Sequence, residues 1–501
     1  MSLLKLVPAK LRTPAPPGGI TLVVHAPYGT DPELSGYPGT AARPIEKHPL
    51  LRHLQAVADC GVHVCALVDL VDDQTWLVEW KALDRNPTIT SRWKQQMHTV
   101  ATLAELILHA RKTRPDSALV LGLEGHGAGY MPELDRRVLN VVQVTDRGKF
   151  DWRLGAERTR PEHPDGRPVV AMGSPLLAMG SPLLPANHLP MSTWALGQAL
   201  KLGTAKGQKI GVVHFNNCFN LSTEVLHTIA GHADWAVGYP NYNFFSAGAA
   251  YAVAFQAFKK AGSTAGVQQL ALWMAEANHQ VLKQKPHHPT VGGAVKLATM
   301  VAVARGVDAL AKALIDALKV GPGGPNTALQ HRAVAQQISQ AIRRSQQYDT
   351  HTPISLESPD ELTDLASLAT ELLNFPFNTV AVTAAATQLR KALAGIKVYG
   401  DKDSPWMAPQ VPWNFGRPDL AMNILCPDPA LKGLWDWRSP FYLQPNADLA
   451  RPAVQPHVIA FLKQTAWVPF IIEFHRHEPF SGLRVAPIPA FNRFNPDHNV
   501  P

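Results

Sequence analysis

The stretch KIGVVHFNNCFNLSTEV, Lys209–Val225, decides how this chain reads. Its first half is a short apolar run bounded by polar residues, the pattern of a strand covered on both faces. The run ends at Asn216, Asn217 and Cys218. A polar helix start follows near Ser222, with Thr223 and Glu224 in the first turn. A packing cysteine belongs among apolar neighbours, whereas this one stands at a strand-to-helix turn. In an open parallel sheet that is where ligands bind, beyond the carboxyl ends of the strands. A thiol becomes a nucleophile when its pKa falls, and a helix N-terminus and a nearby imidazole both lower it.

Working outward, the same alternation repeats. GITLVVHA (19–26), VHVCALVDLV (62–71), SALVLGLEGHG (117–127) and DWAVGYP (234–240) read as further strands, and TWLVEWKAL (75–83) as a hairpin partner of the second. Helical spacing separates them at 44–61, 96–112, 192–203, with Ser192 as cap, and 221–232. Strands separated by helices predict a mostly parallel sheet covered on both faces. The third strand ends in LEGHGAGY, which presents His126 between Gly125 and Gly127. If that strand neighbours the one ending at Cys218, imidazole and thiol share one rim. Gly127 lets a backbone N–H approach a substrate carbonyl, so Gly127 and Cys218 are the candidate donors of an oxyanion hole.

From about 244 to 373 the pattern is helical and Ala-rich, broken by VGPGGPN (320–326). The remainder is mixed, with a helix at 379–396, an apolar strand LAMNILCP (420–427) and a Trp-rich segment (434–443). Three regions are therefore expected: 1–245, 246–373 and 374–501. At 501 residues the chain exceeds one compact core. The seven-residue unit AMGSPLL stands twice in tandem at 171–184. It reads as a duplication tolerated in an exposed loop or as a flexible connector that moves or is cut.

Composition narrows the partners. The net charge of +8 is spread over the whole length without a basic run interleaved with aromatics, so no nucleic-acid partner is expected. No apolar run reaches the length of a membrane span, and the Pro-broken start lacks the features of a secretory signal. Four cysteines, Cys60, Cys65, Cys218 and Cys426, are too few for a disulfide framework and lack zinc-site spacing. The expectation is a cytoplasmic protein with no cofactor and no metal. PHHP (286–289) and FHRHEPF (474–480) read as solvated histidines.

The order strand, HG, helix, strand, Cys resembles the caspase-fold cysteine peptidases, and within them the clostripain-like family. The carrying pieces are ALVLGLEGHGAGY, MSTWALGQAL and IGVVHFNNCFNLSTEVLHTIAGHADWAVGYPNY, with WDWRSPFYL and TAWVPFIIEF later in the chain. The resemblance covers 20–245 well and 376–475 loosely. His126 and Cys218 stand 92 residues apart, against roughly 50 in caspases. The resemblance implies an α/β fold: a caspase-like, mostly parallel sheet flanked by helices, with a helical insertion and a mixed α/β C-terminal region. It implies a cysteine endopeptidase acting through a dyad, Cys218 as nucleophile and His126 as acid and base. It also implies a protein or peptide substrate, a small-molecule or protein activator that releases a form held inactive, and a role in bacterial stress or antiphage defence.

Two departures concern specificity. Clostripain-like enzymes carry Asp two residues before the cysteine, in a pocket for Arg or Lys, where this chain has Asn216. The segment after the fifth strand, YPNYNFF (239–245), is uncharged. Asn216, Tyr242 and Asn243 are the candidate pocket residues, and Asn216 reads equally as a turn-stabilising side chain. Family members are processed between His and Cys, and Arg158 is the candidate site here. Two other readings share the fold: a scaffold or ligand-binding module without proteolysis, and a thiol acyltransferase.

Overall fold

A computed structural model describes residues 19–30, 32–36, 43–70, 75–91, 97–127, 129–131, 191–204, 208–241, 243, 246–262, 266–283, 291–321, 324–348, 362–377, 379–400, 415–428 and 458–476. The Arg158 candidate, Tyr242, the tandem repeat and the Trp-rich segment lie outside them.

The strands expected from the sequence form, with ends shifted by a few residues. They are β1 (Ile20–Pro27), β2 (His63–Asp69), β3 (Thr75–Trp80), β5 (Ala118–Leu123), β6 (Ile210–Phe215) and β7 (Ala233–Gly238). Among the described residues, β4 (Thr88–Ser91), β8 (Val291–Lys296) and β10 (Lys397–Gly400) complete a nine-stranded sheet in the order β10-β8-β7-β6-β5-β1-β2-β3-β4. The five central strands, β7-β6-β5-β1-β2, are parallel, and antiparallel strands close both edges.

Alternation along the strands explains the layers. On β1, Leu22, Val24 and Ala26 face one core and Val23 the other. The first core is covered by α1 (Pro49–Ala58), α5 (Ala249–Ala261) and α6 (Val267–Lys283). The second is covered by α2 (Val100–Thr113), α3 (Thr193–Gly203), α4 (Thr223–Ile229) and α7 (Met300–Lys319). Ser192 caps α3 as expected, its hydroxyl accepting from the Ala195 N–H at 2.9 Å.

Residues 244–373, read from the sequence as helix alone, also hold β8 and the short strand β9 (Leu362–Asp364). β8, VGGAVK, has the glycine content of a turn. Its pairing with β7 and β10 makes it a strand, and a Cβ at Gly293 would come within 2.9 Å of the Lys397 carbonyl oxygen. β9 pairs with β11 (Asn423–Leu425), which is shorter than the strand expected at 420–427. No helix among the described residues is long and apolar enough to cross a membrane.

The interior carries a pH liability. Burial holds the imidazoles of His25, His48 and His214 down at about 4 and that of His475 at about 3. These groups are neutral in the fold and protonate near 6.5 once unfolded. Their stabilisation is complete above pH 6.5 and is lost as pH falls towards 4, by about 3 kcal/mol for each. Asp364, raised to about 6 by burial, works in the opposite direction over the same range, but the four histidines outweigh it. The melting temperature should therefore fall steadily between pH 6.5 and 4. A flat thermal profile over that window would contradict the buried, neutral histidines.

Candidate active site

β5 and β6 pair in parallel, with Leu123 opposite Phe215 at their carboxyl ends. His126 stands three residues past Leu123, and Cys218 three residues past Phe215. The register thus carries both side chains off one rim at the same offset. Both are almost wholly covered, with 3% and 2% of their surface exposed.

The two loops interlock through small groups. A Cβ at Gly127 would meet the backbone carbonyl oxygen of Cys218, and would lie 2.7 Å from Asn220 Nδ2 and 3.0 Å from Asn217 Oδ1. Only glycine allows that approach. Gly125 takes φ +91°, the left-handed region that favours glycine. Asn217 Nδ2 donates to the Leu123 carbonyl at 3.1 Å, and Asn220 Nδ2 donates to Asn217 Oδ1 at 2.6 Å, so the amides tie the β6 loop to the β5 end. Phe219, directly after the cysteine, sits at φ +61°, a left-handed conformation costing about 1–2 kcal/mol for a side chain of this kind.

The Cys218 sulfur is held by the segment after β7. The Asn243 backbone N–H donates to Sγ at 3.3 Å, and the Asn243 carbonyl oxygen lies 3.7 Å from Sγ on the side where the thiol donates. From the C-terminal region, Asn423 Nδ2 donates to the carbonyls of Phe219 and Pro240, both at 2.8 Å, and the Asn423 N–H donates to the Leu221 carbonyl. Thr223 Oγ1 donates back to the Asn423 carbonyl at 2.9 Å. Glu224, fully buried, accepts from Ser222 Oγ at 2.7 Å and from the Leu425 N–H at 3.1 Å. The short helix α4 is thus fixed from β11.

Of the candidate pocket residues, Asn216 is fully buried. Its Nδ2 donates to both oxygens of Glu124, at 2.9 and 3.0 Å, and its Oδ1 accepts from Asn243 Nδ2 at 3.1 Å. Asn243 is also buried, and its Oδ1 has no hydrogen-bond partner among the described residues. Sequence reasoning missed Glu124. This carboxylate is fully covered and also accepts from Tyr28 Oη at 2.8 Å and Tyr251 Oη at 2.6 Å. Burial pushes its pKa up, against the pull of these hydrogen bonds, and the same burial beside a carboxylate drives both tyrosines well above their usual range. The signal in the sequence was an acid at the end of an otherwise apolar strand, LVLGLE.

One group of donors suits a metal by chemistry. Cys65, Glu79 and His109, on β2, β3 and α2, bring ligand atoms within 4.8 Å of one another. The imidazole and carboxylate already satisfy each other at 2.8 Å, and β1 separates β2 from the β5–β6 rim. His475, from the FHRHEPF segment, is buried, and its Nε2 lies 2.7 Å from the Pro427 carbonyl oxygen.

No protein-family model and no curated protein sequence matches the chain. Solved structures do. One is a secreted C11 cysteine protease from Bacteroides thetaiotaomicron in complex with an irreversible peptide inhibitor. It superposes with a TM-score of 0.51 at 13% identity, over 86% of this chain and 98% of that one. Another is the secreted C11 protease iotapain from the same organism, with a TM-score of 0.50 at 10% identity, over 82% and 94%. At these identities the likeness is one of fold: the large, mostly parallel sheet flanked by helices is that of the C11, clostripain-like cysteine proteases. The fold class expected from the resemblance is the one observed.

Proposed function

We propose that this chain is a cysteine endopeptidase of the caspase-fold type, with Cys218 and His126 as its dyad. The observation that carries the reading is the equal offset of these two side chains beyond the paired ends of β5 and β6. The Cys218 thiolate attacks the scissile carbonyl carbon, and the carbonyl π electrons move to oxygen. The backbone N–H groups of Gly127 and Cys218 hold that oxyanion. His126 gives its proton to the leaving amine, which departs with the C–N bond electrons and leaves a thioester. His126 then takes a proton from water, the hydroxide attacks the thioester, and the intermediate collapses to the acid product and the Cys218 thiolate, leaving His126 protonated as at the start.

A neutral pocket belongs to the same proposal. Asn243, whose Oδ1 has no hydrogen-bond partner among the described residues, would face the substrate side chain, with Asn216 supporting it from behind; Tyr242 stays a candidate by sequence position. Near-complete burial of both dyad side chains supports a form held inactive until a small molecule or protein partner opens the site. An unguarded peptidase harms the cell that makes it, so conditional activity fits the cytoplasmic location, also proposed. By analogy with bacterial caspase-like proteins, the setting is stress or antiphage defence.

A thiol-directed peptide probe tests the central claim. Applied with cell lysate as the source of an activator, it should label Cys218 well ahead of Cys60 and Cys426, as read by digestion and mass analysis. Labelling of Cys218 no faster than of those two would instead favour a caspase-fold scaffold without proteolysis.

A further inference from the structure

Glu124 has no part in the reaction just described, yet three side chains converge on its carboxylate. Tyr28, Tyr251 and Asn216 all donate to it. A carboxylate only accepts, so the Asn216 amide must turn its NH2 towards Glu124. That leaves Asn216 Oδ1 facing Asn243, and Asn243 Nδ2 donates to it at 3.1 Å. The backbone N–H of the same Asn243 reaches Cys218 Sγ at 3.3 Å. Three successive contacts therefore lead from a buried acid on the β5 end to the sulfur on the β6 end. Each of these four residues is buried, so water cannot replace a broken link at low cost.

We propose that Glu124 is a positioning residue for the Cys218 thiol, acting through Asn216 to hold Asn243 against the sulfur. The inference rests on the peptidase reading only in taking Sγ as the reacting atom. It assigns the acid a mechanical role: Glu124 orients one amide, that amide orients the next, and the second carries the N–H that pins the thiol. Tyr28 from the β1 end and Tyr251 from α5 hold the carboxylate itself in place.

The test needs no peptidase activity. Alkylation by iodoacetamide of the full-length protein is followed at each cysteine by peptide mass. Cys60 serves as the accessible reference, and Cys65 and Cys426 as buried controls. Asn216→Leu, which cuts the relay at similar volume, should speed alkylation of Cys218 about tenfold, since the pinned thiol is released by loss of one buried hydrogen bond. Glu124→Gln should speed it about fivefold, and the double variant should be no faster than Asn216→Leu alone, because the acid acts only through that amide. The two buried controls should stay at their wild-type rates. The proposal is overturned if Glu124→Gln leaves Cys218 unchanged, if the two effects multiply, or if Cys65 and Cys426 accelerate alongside Cys218. Should the leucine variant not fold, Asn216→Ser makes the same cut more mildly and is read by the same ratio. Wild-type protein without peptidase activity would remove the proposed reaction but would leave these rates to decide the relay.

Discussion

Cys218→Ala protein should cleave no peptide that the wild type cleaves in a library screen, with a loss on the order of 10³-fold or more in kcat. His126→Ala should fall by a similar factor. On the proposed mechanism the two residues act as one unit, so the double variant should be no worse than either single variant. Cys218 keeps only 2% of its surface, and alanine fills the same space without the sulfur, so the fold should survive and the melting temperature should stay close to wild type. Steady-state rates on the best library peptide, set beside thermal melts, decide the matter. A Cys218→Ala protein within tenfold of wild type would remove the sulfur from the chemistry.

Gly127→Ala should be nearly as damaging by a different route. The added methyl carbon cannot coexist with the Cys218 carbonyl oxygen, and it also presses on the Asn217–Asn220 hydrogen bond. One loop must retreat from the other by about 1 Å. A displacement of that size costs about 10²-fold in a reaction that depends on aligned groups. The expected result is a hundredfold drop in kcat/KM with a melting temperature lowered by only a few degrees, since the strands beneath keep their pairing. Wild-type kcat/KM in a folded Gly127→Ala protein would show that the contact between the two loops does not matter to catalysis.

The parts of the site that could be read from the sequence were those written in local pattern. A strand, then His between glycines, then a helix and a second strand ending in Cys mark out the rim by local pattern alone. Glu124 was not legible because its meaning is collective. It is one acid at a strand end until Tyr28, 96 residues earlier, and Tyr251, 127 residues later, close over it. Asn216 was read as a residue facing substrate or a turn, since nothing local says that a carboxylate on the next strand takes both its N–H groups. β8 was missed for a related reason. Its two glycines argue against a strand until β7 and β10 supply the hydrogen bonds on either side. Propensity is a local quantity, whereas these features are made by partners distant in sequence.

Asn423 carries a consequence for biosynthesis. The amide that binds the carbonyls of Phe219 and Pro240 beside Cys218 lies 204 residues beyond Phe219. A ribosome delivers His126, Cys218 and their strands long before it delivers that amide. Until then the loop after Cys218 lacks the clamp on Phe219 and Pro240, and Thr223 lacks its acceptor. A nascent or truncated chain can therefore carry His126 and Cys218 without the contacts that fix the Cys218 loop, and the order of synthesis itself delays completion of the rim.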